Sequence, residues 1–244
     1  MPAGEAEIAI ARLLAASPAG IEELALGTTT ELAVYTDEAG ERALRIDFPG
    51  ASSEPVRDGW EDRWKEFHEP VRAGGLWIGP PWIEPPVGEP VVVVDPGRAF
   101  GTGAHPTTRG CIELLARVER GSLVDAGCGS GVVAVAAARL GFAPVCAVDL
   151  DPVAVEIARE TARRNGVAIE VSEADALHDE LPRADVVVAN IELRVVESLL
   201  ARTTARTAVT AGYLVSDVPS APGFEHVERL ELEGWAADVW AERH

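Results

Sequence analysis

The chain has 244 residues, of which 47% are hydrophobic, and its formal net charge is −19 at neutral pH. This share of apolar residues is enough to build a core, which excludes a largely disordered chain. No apolar run approaches the ~18 residues that a membrane-spanning helix needs. Charged residues interrupt the N-terminal apolar stretch, which argues against a signal peptide. The sequence therefore predicts a cytoplasmic protein without a membrane partner.

The charge and the cysteines narrow the choice of partners. Nucleic-acid-binding surfaces are usually basic, so direct nucleic-acid binding is not expected. An acidic protein would attract a basic protein substrate, although solubility alone would explain the charge equally well. Three cysteines without a Cys-x-x-Cys pair, together with scattered histidines, predict neither a disulfide framework nor a metal site.

Residues 1–50 indicate a small α+β unit that would recognise a substrate. Apolar residues at helical spacing within positions 5–16 predict a short helix. The stretches TELAVYTD and RALRIDF, which flank the turn EAGE, predict two short strands. Positions 51–70 follow as a Pro- and Gly-containing linker and a helix that carries Trp60 and Trp64.

From position 121 onward, strand patterns alternate with helix patterns. This order predicts βαβ units and a mostly parallel, doubly wound, Rossmann-like sheet. The tail differs, because two strand patterns flank a Gly turn with no helix between them. We expect them to form an antiparallel hairpin at one edge, which completes a seven-stranded sheet. The main α/β domain is assigned to positions 71–244.

The segment VDAGCGSG ends the first of these strands and opens a helix, with Asp125 followed by Gly127, Gly129 and Gly131. A P-loop is excluded because its Lys and Ser/Thr are missing, and a nicotinamide fingerprint is excluded because Val132 replaces its last glycine. The pattern resembles class I S-adenosylmethionine-dependent methyltransferases. The glycines would let the backbone approach the methionine part of the cofactor, and the helix N-terminus would bind its carboxylate. Asp125 would then hold the cofactor's ammonium group.

Two more acidic residues follow the next strands. Asp149 ends the second strand, where an acid accepts ribose hydroxyls in other doubly wound sheets. Asp175 follows the third strand and is expected to accept from the adenine amine, whereas Asp151 is predicted to cap the next helix. Each acid alone is more often a cap or a surface charge. Together with Asp125 they mark one crevice at the carboxyl ends of successive strands, and S-adenosylmethionine is the predicted cofactor.

Five stretches occur in one order: FHEPVRAGGLWIGPPW, DPGRAFGTGAHPTT, VDAGCGSG, AVDLDP and ANI. Together they resemble the PrmA family, which methylates amines of the large-subunit ribosomal protein L11, over about Trp60 to Ser216. In that family the loop that matches residues 99–108 folds over the bound cofactor. The resemblance implies cofactor contacts from Phe100, Gly101, Thr107, Gly127, Asp149 and Asn190.

The fourth strand ends at Asn190, whose amide oxygen is a candidate for positioning the acceptor amine. The Asn-Pro-Pro-Tyr tetrapeptide of many nucleobase and glutamine methyltransferases is missing here, which makes a nucleobase target less favoured. Glu192 is a candidate general base by position alone, and an acid at a helix N-terminus explains it as well. His105 is predicted to be a turn residue, since His-Pro is a poor helix start.

Two features depart from the family. Positions 1–50 are too few for its ferredoxin-like N-terminal domain, and SDVPSAPG stands where the tail would carry a helix. The sequence predicts a methyltransferase for a protein lysine or N-terminal amine, with a basic ribosomal protein, L11, as the favoured acceptor. A related methyltransferase for another protein or a small molecule remains an alternative, as does a non-catalytic cofactor-binding protein.

Overall fold

The fold is described from a computed structural model, which defines residues 21–26, 29–34, 38–48, 50–53, 68–95 and 103–243. The chain divides into two units, Met1–Glu61 and Asp62–His244. The helices predicted within positions 5–16 and around Trp60 and Trp64 lie outside the described residues. Within the described ranges, no helix has both the length and the apolar character needed to cross a bilayer.

The first unit contains a hairpin and a helix. Strands β1 (Ile21–Leu26) and β2 (Thr29–Val34) pair antiparallel, and helix α1 spans Glu38–Asp47. The strand prediction for RALRIDF was wrong, because these residues lie mostly in α1. Its sequence is rich in Glu, Ala, Leu and Arg, which favour helix, and Arg45 Nε pairs with Glu41 Oε1 at 2.9 Å, four residues away.

The second unit is built on two sheets. Its elements in chain order are β3 (Val71–Ala73), β4 (Leu76–Gly79), β5 (Val91–Val93), α2 (Pro106–Leu115), β6 (Leu123–Ala126), α3 (Val132–Arg139), β7 (Val145–Asp149), α4 (Pro152–Arg164), β8 (Glu170–Glu173), β9 (Val186–Asn190), α5 (Leu193–Arg202), β10 (Thr207–Leu214), β11 (Phe224–Leu232) and β12 (Trp235–Glu242). The seven-stranded sheet has the order β11-β12-β10-β9-β6-β7-β8. Strands β6 to β10 are parallel, and β12 pairs antiparallel with both β10 and β11. The predicted seven-stranded, mostly parallel sheet is confirmed.

The large sheet is covered on both faces, which explains its uninterrupted apolar strands. In β9, Val186 and Val188 join the core on the side of α2, α3 and α4. Val187 and Ala189 face the other way, toward the core that includes α5. Helix α2 was not predicted from the sequence, and neither was the small sheet that β3, β4 and β5 form.

The C-terminal hairpin is the predicted one. Leu232 pairs with Trp235 across a two-residue turn, and both turn residues, Glu233 and Gly234, have positive φ angles of 51° and 84°. Such a turn matches the twist of the paired strands. Residues 215–223, which connect β10 to this hairpin, contain no helix, in agreement with the predicted loss of a helix in the tail.

The small sheet is tied to the large domain by one buried asparagine. Asn165, the C-cap of α4, accepts a hydrogen bond from Val93 N at 2.8 Å and donates to Val93 O at 2.7 Å. Its amide also donates to Thr161 O at 2.8 Å. The side chain thus pairs with β5 as another strand would.

We predict that Asn165→Ala lowers the free energy of unfolding by roughly 2–4 kcal/mol, because it leaves buried backbone groups of β5 without partners. Urea unfolding measures the loss, and exchange of the Val93 amide hydrogen should accelerate. Asn165→Asp is the comparison variant, since it keeps an oxygen for Val93 N but sets a buried carboxyl oxygen against the carbonyls of Val93 and Thr161, so it should protect the Val93 amide better than the Ala variant without restoring stability. Equal Val93 exchange in the wild type and the Ala variant would contradict this role.

Candidate functional site

Three of the predicted site residues lie at one edge of the large sheet. Asp125 is the penultimate residue of β6, and Asp149 and Asn190 are the last residues of β7 and β9. These three strands are neighbours in the order β9-β6-β7 and run parallel. Their carboxyl ends therefore meet, and in open α/β sheets this is the edge where ligands bind.

The glycine-rich loop is bonded to the neighbouring strand. The amides of Gly127 and Cys128 both donate to Val148 O, at 2.9 and 3.0 Å. The amide of Gly129 donates to Asp149 Oδ2 at 2.8 Å. Gly131 then caps α3 without a side-chain hydrogen bond of its own, while Ser130 Oγ accepts from Val132 N, in the first turn of the helix, at 3.3 Å.

Gly127 illustrates why this loop needs glycine. Its φ of +73° suits a residue without Cβ, and a Cβ built here would lie 2.4 Å from Ile191 Cγ2. Ile191 directly follows Asn190. The loop backbone therefore packs against the end of β9, with no room for a side chain between them.

Asp125 is the buried acid of the site, with 2% of its surface exposed. The Ala134 amide, in the first turn of α3, donates to this carboxylate. Its Oδ2 atom is buried and has no hydrogen-bond partner among the described residues. Burial is the main cause that raises its pKa to about 7, and the negative charge of Asp149 adds to the shift.

The other two predicted acids bond to backbone amides. Asp149 uses Oδ2 for Gly129 and accepts from Asp151 N on Oδ1 at 3.0 Å. Asp175 lies two residues beyond β8 and accepts from Leu177 N at 2.8 Å. Its Oδ2 contacts His178 Nδ1 at 2.7 Å, and this hydrogen bond is the main cause that lowers the pKa of Asp175. The predicted ribose and adenine roles of these acids stay predictions.

Asp151 and His105 are both helix N-caps. Asp151 Oδ1 accepts from Val153 N at 2.8 Å, which confirms the predicted cap of α4. The turn prediction for His105 missed that this residue opens α2, where its Nδ1 accepts from Thr107 N at 3.4 Å. Burial and the charge of Arg109 lower the pKa of His105, which favours the neutral ring that a cap acceptor requires. Pro106 fits because the first helical residue needs no amide donor.

The two threonines of α2 serve different neighbours. Thr107 is buried, and its Oγ1 contacts His105 Nδ1 at 2.7 Å. Thr108 was not singled out from the sequence, yet its Oγ1 accepts from Asn190 Nδ2 at 3.2 Å. The TT pair was the only local signal for this contact. Phe100 and Gly101 lie outside the described residues, so their predicted cofactor contacts stay predictions.

A metal cluster and a surface cavity are two other kinds of site, and neither involves the predicted site residues in the part of the chain that the structure describes. No group of three or more His, Cys, Asp or Glu is placed there to hold a metal ion. A surface cavity of about 370 Å³ lies at the opposite edge, beside the segments that precede β9 and β10, and none of the predicted site residues lines it.

The strand order, the antiparallel hairpin at one edge and the glycine loop define the class I S-adenosylmethionine-dependent methyltransferase fold. The fold and family together imply use of that cofactor. Residues 22–237 match the model of the family described as ribosomal protein L11 methyltransferase (PrmA), and the chain belongs to this family.

Relatives and a solved structure agree with this assignment. The chain is 39% identical over 198 residues to a ribosomal protein L11 methyltransferase from an Exiguobacterium species, covering 74% of this chain and 64% of the relative. It is 48% identical over 139 residues to the protein of that name from Pelotomaculum thermopropionicum, covering 54% of this chain and 45% of the relative. The crystal structure of a ribosomal protein L11 methylase from Lactobacillus delbrueckii aligns with a TM-score of 0.63 at 26% identity, covering 70% of this chain and 96% of that one. The aligned part thus spans about half to two thirds of these curated relatives.

We predict that Asp125 makes the protein less stable at alkaline pH. The folded carboxyl keeps its proton up to about pH 7, whereas the ordinary pKa is 3.8, so the folded state binds more protons between these values. The stabilising contribution of this carboxyl is therefore fully present below about pH 4 and is lost as pH rises toward 7, by about 4 kcal/mol in total.

Urea unfolding at pH 5 and pH 8 tests this, with the cofactor left out. Asp125→Asn keeps the shape and cannot ionise, so this variant should lose less stability than the wild type between the two values. If both proteins show the same pH dependence, the proposed titration of Asp125 is wrong.

Proposed function

We propose that this protein binds S-adenosylmethionine at the carboxyl edge of its large sheet and methylates an amine of a basic protein, with ribosomal protein L11 as the favoured acceptor. The observation that carries the proposal is Asp125, a buried acid beside a glycine loop, whose Oδ2 has no hydrogen-bond partner among the described residues. A buried carboxylate requires compensation. A ligand with an ammonium group provides it.

The residues present fit this cofactor. The ammonium group would pair with Asp125, and the cofactor's carboxylate would lie at the N-terminus of α3, where the helix dipole favours a negative charge. Gly127 adds no side chain to the loop, and its Cβ position is already closed by Ile191 Cγ2. Asp149 would accept hydrogen bonds from the ribose hydroxyls, and Asp175 would accept one from the adenine amine. Each carboxylate has further lone pairs besides those used in its present hydrogen bonds. The α2 side, with Phe100, Gly101 and Thr107, would cover the cofactor.

Asn190 is proposed to orient the acceptor amine. Since its Nδ2 donates to Thr108, the amide oxygen remains to accept an N–H of a neutral amine. Bound S-adenosylmethionine supplies an electrophilic methyl group, so the protein mainly has to position the nucleophile. A lysine amine has an ordinary pKa near 10.4, and the site must therefore favour its neutral form.

Glu192 is not well placed to be the general base. It is the N-cap of α5, its side chain is 67% exposed, and its Oε1 lies 3.4 Å from Arg194 Nη2. We propose instead that Glu192, as an exposed acid near Asn190, helps to attract a cationic acceptor.

The proposed acceptor follows from family and charge together. The family's description and the names of the relatives specify ribosomal protein L11. The net charge of −19 suits a basic partner through long-range attraction. Recognition of that partner by residues 1–50, and the assignment of residues 51–70 as a linker and helix, remain part of this proposal.

We predict micromolar binding of S-adenosylmethionine, and a loss of roughly 1.5–3 kcal/mol of binding free energy in Asp149→Ala for each charged hydrogen bond removed. Isothermal calorimetry measures both values. Asp151→Ala is the control, because it removes a neighbouring acid that caps α4 and leaves the proposed ribose contact intact. Unchanged affinity in Asp149→Ala would refute the ribose assignment.

We also predict that purified protein transfers labelled methyl groups to ribosomal protein L11 and that this rate falls as salt rises. Attraction between an acidic enzyme and a basic acceptor is screened over a Debye length of about 8–10 Å at 0.1–0.15 M salt. The rate is compared at low and high salt with saturating cofactor. Label appearing only in small molecules would support the alternative acceptor class, and absence of label would support a non-catalytic binding protein.

A further inference from the structure

The segment that follows β10 borders the proposed site. In β10, Ala211 pairs with Asn190 of β9, and the strand runs on to Leu214. Because β9 and β10 are parallel, residues 214–218 emerge at the same edge as Asn190. We call these five residues the rim segment. The segment starts with the last residue of β10, and its residues 216–218 begin the stretch SDVPSAPG, where the sequence predicts a departure from the family.

Arg229 of β11 holds the rim segment by its backbone. Its Nη1 donates to Val215 O at 3.2 Å, and its Nη2 donates to Asp217 O at 2.9 Å. A guanidinium presents several donors in a fixed plane, so one side chain can fix two carbonyls of an irregular segment. Asp217 Oδ2 also accepts from Leu214 N at 3.0 Å, which closes the turn.

Arg229 is in turn locked by Asp238 of β12. The two side chains form a bidentate pair, with Nε to Oδ1 and Nη2 to Oδ2 both at 2.9 Å. Asp238 is fully buried and also contacts Tyr213 OH at 2.8 Å and His226 Nε2 at 2.6 Å. Burial alone would raise the pKa of Asp238, but hydrogen bonds from Arg229, His226 and Tyr213 hold it below its ordinary value. The pair is therefore ionised and rigid.

The rim segment presents apolar side chains to solvent. Leu214, Val215 and Val218 are 48%, 38% and 77% exposed. They are three of eight large apolar side chains exposed in the described residues, so their clustering within five positions is notable. Clustered exposed apolar groups mark interaction sites more often than isolated ones do. The segment's carboxylate, Asp217, is engaged with Leu214 N, which leaves the outward face mainly apolar.

We propose that the rim segment, fixed by Arg229 and Asp238, binds an apolar side chain of the acceptor protein next to its target amine. This inference rests on the proposed function. The occupant follows from position and charge, because the segment adjoins the strand that ends at Asn190, and Glu192 lies exposed at the same edge. The acidic surface would attract a basic acceptor. An apolar side chain of the acceptor, next to the target amine, would then cover the exposed side chains of the rim segment.

The first test replaces one apolar side chain by a polar one of the same shape. Val218→Thr should raise the KM for ribosomal protein L11 roughly three- to ten-fold, since a buried methyl contact is replaced by a hydroxyl. The affinity for S-adenosylmethionine should stay unchanged. Val87→Thr is the matched control, because Val87 is 100% exposed and lies outside the large sheet. Equal KM values in the two variants would overturn the proposal.

The second test concerns Arg229 as a positioning residue. Arg229→Met should accelerate hydrogen exchange in residues 214–218 and raise the acceptor KM more than it lowers kcat, while exchange in β6 and β7 stays slow. Arg229→Lys should show the same faster exchange and higher acceptor KM, since an ammonium group cannot reproduce the planar donor arrangement of the guanidinium. Faster exchange of the segment with an unchanged KM would show that the segment does not contact the acceptor.

The two hypotheses fail differently. If the wild-type protein transfers no methyl group to ribosomal protein L11 or to another protein, the proposed function fails and this inference fails with it. If the wild type methylates L11 and Val218→Thr behaves like Val87→Thr, only the inference about the rim segment is overturned.

Discussion

The bonding of the glycine loop to strand β7 is the constraint on which the rest of the site depends. One carbonyl, that of Val148, accepts from both Gly127 and Cys128, and the Asp149 carboxylate accepts from Gly129. These bonds set where α3 begins and therefore where its first amides point. They also bring Gly127 against Ile191, so the loop, the helix start and the end of β9 have one possible arrangement.

The same arrangement explains the charge of the site. The loop and α3 bury Asp125 beneath them, and burial raises its pKa to about 7. Ionisation of this buried carboxyl costs free energy, and a cation that pairs with it would offset that cost. In a protein with a net charge of −19, this acid differs from the surface carboxylates, because water cannot stabilise it.

The tail shows how a connection without a helix can be held against the sheet. A network of buried polar side chains, centred on Asp238, connects β10, β11 and β12. Trp240 Nε1 donates to Thr210 Oγ1 at 2.8 Å, and Tyr213 contacts the same hydroxyl at 2.7 Å. Each buried polar atom named here has a partner, which is the condition under which such a network adds rigidity. The connection after β10 is thereby held in one place beside the site.

By itself, the sequence determined the features that local patterns encode. Alternating strand and helix periods predicted the parallel sheet and the C-terminal hairpin, and acids at three strand ends predicted one ligand-binding edge. Local patterns also misled. The short apolar alternation of RALRIDF suggested a strand, although helix formers and an i,i+4 ion pair stabilise α1. His-Pro predicts a turn as a poor helix start, whereas His105 caps α2, because a neutral imidazole can accept a hydrogen bond from a backbone amide.

Only the tertiary structure decided which side chains meet across long sequence separations. Thr108 and Asn190 are 82 residues apart in sequence, Val93 and Asn165 are 72 apart, and neither contact leaves a periodic signal. The burial of Asp125, and with it the pKa of that acid, depends on packing by α3 and the glycine loop. Hydrogen bonds and desolvation are set by distance in space, so spacing along the chain could locate these residues near one edge but could not pair them.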